Sequence, residues 1–113
     1  MKLRPCFPMP EVYLCRTKHK YYKTCKKLGI EGSFLGTDAQ MTYENGVAIV
    51  YVRPISDTDQ ENALLVHEAV HVVQMWLEEL QEHEPGVEEM AYMVQAVSLS
   101  LFSANRKRSK KNG

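Results

Sequence analysis

Apolar residues along this chain follow two different periods, and the switch between them marks the elements. From the middle onward they recur as Leu64, Leu65, Val66, Ala69, Val70, Val72, Val73, Met75, Trp76 and Leu80, the pattern of a helix apolar around much of its girth. Ser56 to Gln60 ahead of it is a run of capping residues and acids. The pattern therefore predicts a long core helix from there to about Glu82, broken by Pro85-Gly86. A further helix is predicted from Val87 to about Ser103, with Met90, Ala91, Val94, Val97, Leu101 and Phe102 at helical intervals. Upstream the period shortens. Gln40–Glu44 and Val47–Val52 flank Asn45-Gly46, a pair that favours the type I′ turn of a tight hairpin. The second of these strands is apolar at every position, which predicts cover on both of its faces, and Arg53-Pro54 ends it. Thr17 to Leu28, with Tyr21, Tyr22, Cys25 and Leu28 at helical spacing and Gly29 behind them, predicts a glycine-capped helix. Glu11 to Cys15 reads as a short strand and Gly32 to Gly36 as a loop, while Pro5, Pro8 and Pro10 keep the first residues extended.

At 113 residues the chain has room for one core and not for two. No apolar run approaches the roughly 20 residues of a membrane span, and Met1 to Pro10 lacks the apolar stretch of a secretory signal. Three cysteines, Cys6, Cys15 and Cys25, an odd number without a signal, predict reduced thiols and a cytoplasmic setting. Net charge is zero, but the charges are segregated. Residues 1–30 carry eight Lys/Arg against Glu11, residues 31–105 carry thirteen acids against Arg53, and the last eight residues carry five bases. This predicts a single domain over residues 1–105 and a solvated, disordered basic tail over 106–113.

The chemistry sits inside the core helix, as His67-Glu68-Ala69-Val70-His71. Histidines at i and i+4 share one helical face, so both imidazoles reach a single metal ion. Glu68, about 100° around the helix from His67, borders the metal's open position, where it can take a proton from a zinc-activated water. Two histidines and a glutamate set among Val66, Ala69, Val70, Val72 and Val73 would be costly to bury without partners. A catalytic zinc ordinarily takes three protein ligands. Position 77 is Leu, so no third histidine follows at the short spacing of some peptidases; His83 lies past the helix, and Glu88 and Glu89 open the next one.

With these residues the segment resembles the gluzincin metallopeptidases, in which HExxH is followed by a second helix carrying a glutamate ligand in an E-x-x-A/S-D motif. Glu88-Glu89-Met90-Ala91-Tyr92 is the matching stretch. Setting Ala91 on the family's small residue implies that Glu88 is the third ligand and that Glu89 points elsewhere. Tyr92 stands where the family often has an aspartate, a departure that leaves it to accept a hydrogen bond from an imidazole or to assist the oxyanion, for which His83 is the other candidate. The resemblance spans roughly residues 40–102, without the large lobes of long gluzincins. It implies a minimal zincin-like α+β fold, with a small antiparallel hairpin or sheet packed on the HExxH helix and a second ligand-bearing helix. In that class a strand ahead of the HExxH helix receives an extended peptide.

The expected function is peptide-bond hydrolysis at Zn2+ held by His67, His71 and Glu88, with Glu68 as general base, Tyr92 assisting, and a peptide or protein as substrate. A zinc-stabilised binding or regulatory protein on the same scaffold is the alternative, although retention of Glu68 counts against it. Binding of nucleic acid through the basic N-terminal helix (Lys18, Lys20, Lys23, Lys26, Lys27) and the tail is less expected, and a membrane partner is not expected at all. The ligand assignment makes a direct prediction: Glu88→Ala abolishes zinc binding while Glu89→Ala leaves it unchanged. Equal affinity in both variants, read by competition with a chromogenic chelator, would remove the gluzincin reading.

Overall fold

The computed structural model describes residues 9–81 and 86–112, with side chains to Lys107. Pro5, Pro8, Cys6, His83 and Pro85 lie outside the described residues. The elements follow as β1 (Glu11–Cys15), α1 (Lys18–Leu28), β2 (Ala39–Glu44), β3 (Val47–Val52), α2 (Thr58–Glu79) and α3 (Val87–Asn112). The fold is α+β.

Local chemistry sets most boundaries. Thr17 caps α1 by accepting from the Lys20 amide at 3.0 Å, and Gly29 closes it in the left-handed region at φ 68°. Asn45 and Gly46 both adopt positive φ, as the expected type I′ turn requires. Asp57 caps α2 through the Gln60 amide at 3.2 Å. That helix ends at Glu79, short of the predicted Glu82, because the backbone turns left-handed at Gln81, φ 59°. In the other direction α3 outruns its expected end at Ser103 and continues to Asn112, through the basic run. Its apolar stripe stops near Phe102 and Ala104, but Arg and Lys are good helix formers and carry the backbone on.

The sheet has the order β1-β3-β2, with β2 antiparallel and β1 parallel to β3. It is thus mixed rather than a purely antiparallel hairpin, since the chain crosses through α1 and β2 before β3 pairs with β1. The predicted cover on both faces of β3 is present. Ala48, Val50 and Val52 meet Leu65, Ala69, Val72, Val73, Trp76, Met93, Val97 and Leu101 of α2 and α3, while Ile49 and Tyr51 meet Tyr21 and Cys25 of α1. Full burial of each large side chain here contributes about 1.5–3 kcal/mol. On the α1 side the chain runs close: a Cβ on Gly32 would stand 2.8 Å from Cys25 Sγ. No helix among the described residues is long and apolar enough to cross a membrane.

One polar cluster joins the elements at one end of the sheet. Arg16, just past β1, donates from Nε to the Val52 carbonyl at 2.9 Å, from Nη1 to Asn105 Oδ1 of α3, and from Nη2 to Glu61 Oε2 of α2. Glu61 also accepts from the Ile55 amide at 2.9 Å and from Asn105 Nδ2 at 3.2 Å. Burial by itself would raise the Glu61 carboxyl, but the Ile55 amide, Asn105 and Arg16 outweigh it and hold its pKa below the usual glutamate value. The Arg16 and Glu61 side chains are only 12% and 14% exposed. Removing one therefore strands the other in a poorly solvated place, and Arg16→Ala or Glu61→Ala should destabilise the fold by about 2–3 kcal/mol in urea unfolding. Because the folded pKa of Glu61 is depressed, its contribution is complete above the ordinary glutamate pKa. It is lost as pH falls through the lower folded value, and Glu61→Gln should flatten that acid limb of the stability profile.

Candidate functional site

Helix α2 turns two different faces outward and inward. Leu65, Ala69, Val72, Val73 and Trp76 are buried against the sheet and α3, while His67, His71 and Gln74 are exposed. Glu68 lies at the boundary, 4% exposed. The Nε2 atoms of His67 and His71 are 3.1 Å apart, with the rings nearly perpendicular at 79°. The two rings share a hydrogen bond at this distance, which is also close to the roughly 3.3 Å between two nitrogens held at about 2.0–2.1 Å by one tetrahedral ion.

Gln74, one turn beyond His71, places Oε1 3.0 Å from His71 Nδ1. An amide oxygen only accepts, so this contact puts the proton of a neutral His71 on Nδ1 and leaves the Nε2 lone pair facing His67. Sequence reasoning missed Gln74, although its i+3 spacing from His71 on the same helix was there to be used. Burial pushes the Glu68 carboxyl up, and His71 and His67 pull it down less strongly. The result is a carboxylate with raised proton affinity beside two imidazoles, the direction a general base needs.

Two hollows meet at His67. One, of about 320 Å³, lies between His67, Glu68, His71, Gln74 and Met75 of α2 and Ala39, Gln40 and Met41 of β2. The other, of about 360 Å³, is bounded by Asp38, Ile55, Gln60, Ala63, Leu64 and His67. Strand β2 is the sheet's edge beside the histidines, a position that hairpin chemistry alone did not disclose. The loop ahead of it is fixed by Gln40, whose amide donates to the Ser33 carbonyl at 2.6 Å and accepts from the Leu35 amide at 2.8 Å.

The structure brings together His67, His71 and Glu68 and leaves the two α3 candidates apart from them. Glu88 is exposed on the first turn of α3, Tyr92 is half-buried one turn later, and neither lines either hollow. The reason is the length of α2. It continues from His71 to Glu79, about 12 Å along its axis at 1.5 Å per residue, before the chain returns as α3. Among the described residues no group of three His, Cys, Asp or Glu side chains is placed to hold a metal ion. His67 and His71 thus offer two nitrogen donors side by side, and the described arrangement supplies no third protein ligand.

Neither a protein-family model, nor a curated protein, nor a solved structure matches this chain.

The Gln74 contact yields a test independent of the third ligand. Gln74→Leu should weaken zinc binding about 10-fold or more while leaving the melting temperature without metal unchanged, as measured by calorimetric titration and thermal unfolding.

Proposed function

We propose that this chain is a zinc-dependent peptidase, with His67 and His71 as metal ligands and Glu68 as general base. The observation that carries this reading is the 3.1 Å spacing of the two Nε2 atoms with a buried glutamate next to them, at the mouth of a hollow bounded by an edge strand. Zinc bound there would supply Lewis-acid activation of water and of a peptide carbonyl. Glu68 takes the proton of the attacking water and passes it to the leaving amine, aided by its raised proton affinity. An extended peptide or protein segment adds to the free edge of β2 and crosses His67, with side chains entering the hollows on either side. Ile55 and Leu64 favour an apolar side chain in one of them. The third ligand is assigned to Glu88 on the gluzincin resemblance, and this assignment asks the first turn of α3 to approach the histidines. Tyr92 is given no step. A cytoplasmic setting belongs to the same reading, supported by the buried thiol of Cys25.

A second reading, a zinc-stabilised binding protein without turnover, is favoured by one observation: only two donors stand together among the described residues. One comparison separates the two. Peptide termini generated in a cell lysate are compared for the wild-type protein and Glu68→Gln, with zinc content measured in both. The peptidase reading expects new termini with the wild type and a loss on the order of 10²–10⁴ in their rate of formation with Glu68→Gln, metal being retained. Zinc bound by both proteins with no new termini from either favours the binding protein.

A further inference from the structure

Helix α1 carries five lysines in eleven residues, and the peptidase reading makes no use of them. Lys18, Lys20, Lys23, Lys26 and Lys27 are all exposed, and the helix contains no acid. The ion pairs among the described residues are Arg16–Glu61 and Arg53–Asp38, so none of these lysines is neutralised. Lys18 is engaged otherwise, its Nζ standing 5.5 Å from the Phe34 ring centroid. Lys20, Lys23 and Lys27, by contrast, recur at i, i+3 and i+7 and so form one stripe. With Tyr13, Thr24 and Leu28 they bound a hollow of about 290 Å³ beside edge strand β1.

A second basic block, distant in sequence, begins near the start of α1. Asn105 of α3 is bonded to Arg16, which lies between the end of β1 and the N-cap Thr17 of α1. Exposed Arg106 and Lys107 follow Asn105 directly. Helix α3 packs on the opposite face of the sheet from α1, so this block is separate from the lysine stripe.

We propose that the Lys20, Lys23 and Lys27 stripe on α1 is a docking surface for the phosphate backbone of a nucleic-acid duplex. The stripe runs about 10 Å along α1, a length over which duplex DNA presents roughly six phosphate charges. A lipid surface fits less well. A helix lying in a membrane interface needs an apolar face to bury, whereas Tyr21 and Cys25 of α1 are already packed on the sheet. Its exposed large apolar side chain is Tyr22, at 41%. Contacts of this kind read charge and not sequence, so binding is expected to be indifferent to base composition.

The test is fluorescence anisotropy of a labelled mixed-sequence DNA duplex with the full chain over a salt series. The measurement is independent of peptidase activity, so its failure and that of the catalytic reading are distinguishable. Affinity should fall on the order of 10- to 10²-fold between about 50 and 200 mM salt, linearly in logarithms. The combined variant Lys20→Gln, Lys23→Gln, Lys27→Gln should lower that slope by roughly 2 to 3. Thermal melts establish that each variant stays folded. No salt-dependent binding by the wild type would overturn the proposal, as would a slope unchanged in the combined variant. Binding abolished by truncation after Lys107 but insensitive to the α1 substitutions would overturn it in favour of the terminal residues alone. Binding to phosphatidylserine vesicles without binding to the duplex would overturn it in favour of a membrane.

Discussion

The guanidinium of Arg16 is the point on which the architecture turns. It bonds β3 through the Val52 carbonyl, α2 through Glu61 and α3 through Asn105. A neutral side chain of similar length could fill the space but could not satisfy three acceptors in three directions. The parallel pairing of β1 with β3 leaves both strands ending at this corner. The corner therefore fixes where α2 starts relative to the sheet. That start in turn decides which α2 residues face β2, and so where His67 lies with respect to Met41.

The inward and outward faces of α2 impose the second constraint. Leu65, Ala69, Val72, Val73 and Trp76 bind the helix to the core, leaving little rotational freedom about its axis. His67, His71 and Gln74 are then held outward, and Glu68 is caught at the margin, where it loses water without losing its view of the imidazoles. Hydrophobic burial, and no special backbone conformation, accounts for the perturbed carboxylate.

Much of this was written in short-range chemistry. Asn45-Gly46 announced the hairpin, Thr17 and Gly29 bracketed α1, Asp57 opened α2, and the all-apolar β3 announced its two packed faces. The i, i+4 spacing of the histidines gave their juxtaposition directly, since a helix converts sequence distance into spatial distance. What resisted reading depended on long-range geometry. The parallel register of β1 needs knowledge of a crossover that encloses another strand, and the placement of β2 at the edge follows from it. Gln81 ended α2 through a positive φ that its residue type does not advertise.

The two imidazoles, the glutamate and the orienting amide all ride on α2 within two turns. Their mutual distances are thus those of a rigid rod, insensitive to breathing of the rest of the domain. The helix is packed on the sheet and on α3, and the hollow beside the histidines is bounded on its other side by β2. Any change in the width of that hollow would therefore come from β2 and leave the spacing of the imidazoles and the carboxylate as it is.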